Sequence, residues 1–249
     1  MTIQVRAALR LPFTGSGWHR KLAVGGVTTL GVEAAFAALG YLALGDPGLG
    51  LAPLAVAVNF PLLGYALEVF RGGLAGDAGK LPEWSDWRVL TFRGLFLALV
   101  GLGYSLVPLL MLLAGLNFLV RGGVLLPMAV ALIILGLAAA LSVFFFMPMG
   151  VARYLVEERI EAAFHPVILW GAIARALGEY VATYACAIGA FIVVVLVASV
   201  PFAGPLIAPF LAYYFFVVQA RLFGHACGRA IIAPPPPPAS APGPAAPSS

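Results

Sequence analysis

The side chains able to do chemistry in this chain are few and widely spaced. His19, His165 and His225 lie on distant segments, with no His-x-x-His or Glu-x-x-His pair of the kind that clusters ligands around zinc. Cys186 falls inside an apolar run and Cys227 near the end of another, so both read as small, inert core residues rather than a disulfide framework or metal cluster. Gly72-Gly73-Leu74-Ala75-Gly76-Asp77-Ala78-Gly79-Lys80 looks like a phosphate-binding loop at first glance. A Walker A motif ending there needs Gly at 74 and Ser or Thr at 81, and both positions are Leu; the stretch reads as a flexible loop. Gly15-Ser16-Gly17 is an arm turn, not a nucleophile elbow. No paired carboxylates or His ligands sit within the apolar runs, as an intramembrane peptidase would need. The expectation is a non-enzyme with no metal and no cofactor.

One acid stands out. Glu33 is alone in an apolar run, twelve residues beyond Lys21, hence ~18 Å along a helix axis. Asn59 lies twelve residues before Arg71 on the next run, so the two polar groups reach matching depth. A carboxylate at that depth is costly when charged and is expected to be neutral and hydrogen-bonded. Glu33 and Asn59 form a candidate intramembrane polar pair, either a proton- or substrate-binding site or a clamp between two helices.

The second unusual stretch is Lys80-Leu81-Pro82-Glu83-Trp84-Ser85-Asp86-Trp87, where charge, proline and two of the four tryptophans interrupt a Leu/Ala/Val/Gly-rich chain. Pro82 suits a first helical turn, and Glu83 and Asp86 suit a helix N-terminus. The stretch predicts a short interfacial helix that turns into the membrane at Gly94. Trp18, Trp84, Trp87 and Trp170 are expected as anchors at the headgroup level, where an indole keeps its body in apolar surroundings and its N–H near polar groups.

The elements that must position these groups follow from hydropathy. The chain is 62% hydrophobic and 10% charged, far from a soluble average of about a quarter charged. Runs such as 94–115 and 124–151 carry no charge; about 20 apolar residues suffice to cross a hydrocarbon core of about 30 Å. The runs are continuous rather than alternating, so the spans are helices and not barrel strands. Turn chemistry at Gly45-Asp46-Pro47-Gly48 and Pro201-Phe202-Ala203-Gly204-Pro205 divides them into six spans: 22–44, 51–70, 94–114, 124–149, 179–200 and 203–222. Asn59-Phe60-Pro61 is expected to kink the second span, and Pro108, Pro127 and Pro148 to bend the third and fourth. Residues 167–177 are expected to lie along the surface, with the chain turning inward at Gly178. Ala182, Cys186 and Ala190 form a small-residue stripe suited to helix packing.

Thirteen of the fourteen Lys and Arg fall on one side of this threading, in the N-terminal arm, the second and fourth connections and the C-terminal end; Arg121 alone falls opposite. Cytoplasmic loops retain Lys and Arg, so both termini are expected inside. A net charge of +4 arranged this way suits an anionic inner leaflet, not nucleic acid, which would need a basic patch on a folded polar domain. The first 21 residues lack a small-residue cleavage site and do not read as a cleaved signal. The expected organisation is an all-α polytopic membrane bundle: a cytoplasmic arm over 1–21, a six-span domain over 22–230, and a disordered Pro/Ala-rich tail over 231–249.

Gly64-Tyr65 with Arg71, then Leu81-Pro82-Glu83-Trp84-Ser85-Asp86-Trp87 and Arg93-Gly94, resemble the prokaryotic membrane-protein family catalogued as domain of unknown function 4013. Pro12-Phe13, Trp18-His19-Arg20-Lys21-Leu22, Ala152-Arg153-Tyr154 and Phe223-Gly224-His225-Ala226 are similar too, so the likeness covers most of residues 10–230. The resemblance implies an integral membrane protein of unknown activity and transfers no catalytic residue. The expected role is a non-enzymatic structural or partner subunit of a plasma-membrane complex, associating with a membrane protein or with a second copy. The alternative is a small transporter using Glu33 and Asn59.

Overall fold

The computed structural model describes residues 2–43, 59–77 and 81–232. The turn at Gly45-Asp46-Pro47-Gly48, residues 51–58 of the expected second span, Lys80 and the proline-rich tail lie outside them. Eight α-helices are described: α1 (Thr2–Arg10), α2 (Trp18–Ala43), α3 (Phe60–Leu74), α4 (Trp87–Arg121), α5 (Leu126–Glu157), α6 (Pro166–Arg175), α7 (Leu177–Ala198) and α8 (Gly204–Ile232). Short 3-10 turns cover Leu11–Phe13, Gly123–Leu125 and Ile160–Phe164. No strand occurs among the described residues, and the fold is an all-α helical bundle.

Among the described residues, four helices are long and apolar enough to cross a bilayer: Trp87–Arg121, Gly123–Glu157 (which includes the preceding 3-10 turn), Leu177–Ala198 and Gly204–Ile231. Large apolar side chains stay exposed along them, among them Leu99, Leu106, Leu110, Leu141, Phe191 and Leu196. Water would not tolerate so continuous an apolar exterior, whereas lipid tails solvate it. The chain is a membrane protein. The helices outrun the expected spans because hydropathy marks only the apolar stretch, while backbone hydrogen bonding carries each helix on into its polar flanks.

The core forms around α3, the most enclosed helix, which packs against α4 on one side and α8 on the other. Glycines permit both contacts. A methyl group at Gly64 would overlap the Leu90 carbonyl, and one at Gly94 the Phe60 carbonyl, so α3 and α4 meet backbone to backbone. On the other side, Gly73 and Gly224 face each other between α3 and α8. Helix α2 packs mainly on α8 rather than on its sequence neighbour α3. The reason is a notch at Gly25 and Gly26, filled by the rings of Tyr213 and Phe210. The N-terminal arm is itself helical: α1 lies on α8, where Ala8 joins buried Val218 and Leu222 and the Tyr214 hydroxyl donates to the Leu9 carbonyl at 2.7 Å.

The prolines divide into two groups. Pro61 and Pro127 sit in the first turns of α3 and α5, where a missing N–H costs nothing, so they start helices instead of bending them. Pro108 and Pro148 lie inside α4 and α5. Pro148 has no N–H to give the carbonyl of Phe144, four residues earlier. The Tyr184 hydroxyl of α7 donates to that carbonyl at 2.6 Å, and Tyr180 donates to the next one, Phe145, also at 2.6 Å. A local backbone defect in α5 thereby becomes the polar contact that joins α5 to α7.

Two expectations about connections change. Residues 81–86 are irregular, not a short helix, and α4 starts only at Trp87, where the Asp86 side chain accepts from the Val89 N–H at 3.2 Å. The surface helix expected over 167–177 is α6, and the break falls at Ala176 rather than Gly178.

Candidate functional site

Helices α2, α3 and α8 and the irregular segment 81–86 converge at the Lys/Arg-rich end of the bundle. Lys21, in the first turns of α2, is 8% exposed. Its ammonium donates to the Leu81 carbonyl at 2.8 Å and pairs with Glu83 at 2.6 Å. On α3, the Tyr65 hydroxyl donates to the Pro82 carbonyl at 3.1 Å. These two bonds explain why the segment is not helical: its carbonyls are taken by side chains from α2 and α3.

Trp84 lies inside this knot. Its indole stacks on the Tyr65 ring, with Trp87 5.1 Å away and Tyr213 of α8 6.3 Å away between ring centroids. Leu62, Val69, Leu81 and Leu90 complete the apolar surroundings. Of the four expected anchors, Trp18, Trp87 and Trp170 are exposed, whereas Trp84 is turned into the protein. A lysine, a carboxylate and two stacked rings make a strong structural clasp. The lysine is held by both partners, which leaves it poorly placed as a nucleophile.

One turn further along α3, Glu68 sits between two arginines. One of its oxygens is 2.6 Å from Arg93 Nη1 on α4 and 3.8 Å from Arg71 Nη1 on its own helix. Nearby, Arg153 pairs with Glu157 on α5, and Arg229 of α8 pairs with Glu179 of α7.

The other residues singled out in the sequence are scattered. Glu33 is exposed on α2, about 100° round the helix from exposed Ala34; Asn59 is half-buried just before α3. Among the described residues, no hydrogen bond joins them, and α2 and α3 touch only slightly. His19 is exposed, His225 is half-buried on α8, and the His165 Nδ1 donates to the Glu161 carbonyl at 2.7 Å. Among the described residues, no three His, Cys, Asp or Glu side chains gather as metal ligands would. Gly72 and Gly73, expected in a flexible loop, belong to the last turn of α3.

Sequence reasoning passed over Glu68, Tyr213 and the partners of Lys21. Glu68 and Arg71, three apart at the end of an apolar run, were the available signal for the first. Nothing local connects Lys21 with Leu81, sixty residues away.

Residues 48–203, well over half of the chain, match the family described as "Protein of unknown function (DUF4013)". The chain belongs to this family. No curated protein and no solved structure matches it. The DUF4013 match is narrower than the likeness over 10–230, and it contains Tyr65, Glu68, Trp84, Arg93 and the Gly64–Gly94 contact. Lys21 and Tyr213 lie outside the DUF4013 match, yet they close the clasp around Trp84.

Proposed function

We propose that this DUF4013 protein is a non-enzymatic subunit of a membrane complex in the plasma membrane, with several crossings, both termini and the Lys/Arg-rich end in the cytoplasm. The observation that carries the reading is Glu33. It is exposed in the middle of α2, about 100° round the helix from exposed Ala34. A carboxylate facing hydrocarbon is expensive, and such groups normally face protein or a water-filled cavity. A partner helix on this face, from another membrane protein or a second copy, supplies that surrounding. Ion pairing of several charged groups supports the non-catalytic part: Lys21, Glu68, Arg93, Arg153, Glu179 and Arg229 are engaged in ion pairs.

A photo-crosslinking side chain at Ala34, activated in native membranes, tests this. The expected product is one discrete protein adduct, identified by mass spectrometry and lost when Glu33 is replaced by Leu. Adducts to lipid alone overturn the reading. Solute flux in proteoliposomes that depends on pH and disappears in Glu33→Gln would establish the transporter instead. Cysteine accessibility at Asp46 and Lys80 checks the threading, since they must report opposite sides.

A further inference from the structure

A cleft of about 420 Å³ opens between α3, α4 and α5 at the Lys/Arg-rich end. Its charged lining is Arg71, Arg93 and Glu158; its apolar lining includes Phe92, Phe96 and Tyr154. We propose that this cleft binds the head group of a phospholipid carrying both a phosphate and a primary ammonium, the phosphate on Arg71 and Arg93 and the ammonium toward Glu158.

The charge arrangement points to this ligand class. Both guanidiniums are drawn to one oxygen of Glu68, Arg93 closely and Arg71 at 3.8 Å. Two cations sharing one carboxylate leave positive charge over, and each guanidinium has five N–H donors, more than Glu68 can accept. The fixed fork of Arg matches a phosphate's oxygens. Glu68 below acts as a platform that holds the pair in place without neutralising it. Glu158 occupies a different part of the lining. It ends α5 in a left-handed conformation, φ 54°, with its backbone N–H bonded to the Tyr154 carbonyl at 2.8 Å. Its carboxylate is exposed and makes no ion pair among the described residues. The full set of charges at the cleft is therefore dipolar, two positive groups over one half-buried acid and a free negative group apart from them. A purely anionic head group would meet Glu158 as a like charge; an aminophospholipid complements both ends.

The apolar wall distinguishes a lipid from a free phosphate. Phe96 stacks on Tyr154 with centroids 5.3 Å apart, and Phe92 is 71% exposed at the mouth. From Phe92 and Phe96 the exposed face of α4 continues through Leu99, Leu102 and Leu106, at three- and four-residue spacing. An acyl chain lies along that track while its head group sits in the cleft. Basic pockets between membrane helices at the cytoplasmic side bind lipid head groups in this manner. The inference needs only that the chain is a membrane protein and is independent of any partner at Glu33.

The test is native mass spectrometry of the full-length protein released from nanodiscs containing equal phosphatidylethanolamine, phosphatidylglycerol and phosphatidylcholine. Phosphatidylethanolamine is expected to be retained several-fold over the other two. Arg71→Gln with Arg93→Gln is expected to abolish that enrichment. Glu158→Gln should remove the preference for phosphatidylethanolamine over phosphatidylcholine while both stay bound. Arg71→Gln alone serves as the folding-safe variant, because Arg71 makes the longer contact to Glu68, and it should lower retention by itself. Equal retention of all three lipids, a preference for phosphatidylglycerol, or enrichment unaffected by Arg71→Gln overturns the proposal. Displacement of the lipid by millimolar inorganic phosphate would assign the site to free phosphate and overturn it too.

Discussion

The indole of Trp84 lies flat on the ring of Tyr65, centroids 4.3 Å apart and planes within 8°. It joins a segment with no regular structure to the central helix of the bundle. Trp84 is 9% exposed and Trp87, three residues on, is 44% exposed. Trp84→Ala is expected to cost about 3–5 kcal/mol, the range for a large buried ring. Trp87→Ala should cost about 1 kcal/mol or less. Thermal unfolding in detergent, followed by circular dichroism, compares them; equal losses would mean the stack does not hold the segment.

Lys21 and Glu83 should respond unequally although they form one ion pair. Glu83 is 69% exposed at its side chain, so Glu83→Gln is expected to cost no more than about 1 kcal/mol. Lys21→Met leaves the buried Leu81 carbonyl without its donor, an expected loss of about 1–3 kcal/mol. A double-mutant cycle on unfolding midpoints checks this: most of the lysine's effect should survive in the Glu83→Gln background.

Gly64→Ala and Gly94→Ala each place a methyl group against a backbone carbonyl across the α3–α4 contact. Neither carbonyl can move without the whole helix, so each substitution is expected to destabilise by about 1–3 kcal/mol. Gly189→Ala, where nothing lies within 4 Å, should be neutral or slightly favourable. Melting temperature and monodispersity in detergent distinguish the two classes.

Tyr184 and Pro148 are expected to be coupled. In the parent protein, Tyr184→Phe removes the donor on the Phe144 carbonyl and should cost about 1 kcal/mol. In a Pro148→Ala background, the residue-148 N–H can bond that carbonyl within α5, and Tyr184→Phe should then cost much less. Additive effects in the unfolding cycle would show that Tyr184 is not compensating for the proline.

The apolar runs of the sequence were enough to determine that the chain is a membrane protein built from helices, and to locate the bodies of α4, α5, α7 and α8. Residues 167–177 were legible as a separate helix because Pro166 starts it and a single helix through 200 would be too long for one crossing. Those features are local: run length, proline and turn residues act within a few positions. The irregular form of 81–86 was not legible, because Pro82 and two acids favour a helix start and only Lys21 and Tyr65, arriving from other helices, take its carbonyls away. The inward turn of Trp84 has the same origin, since an indole ring packs at headgroup level or on a tyrosine face and sequence does not say which is nearer. Counting residues gave Glu33 and Asn59 equal depth, but depth says nothing about azimuth or neighbour. That was decided by the Gly25–Gly26 notch, which accepts the Tyr213 and Phe210 rings and seats α2 on α8 instead of α3. Glu68 between Arg71 and Arg93 likewise exists only because Gly64 and Gly94 let α3 and α4 approach closely enough for charges on separate helices to meet.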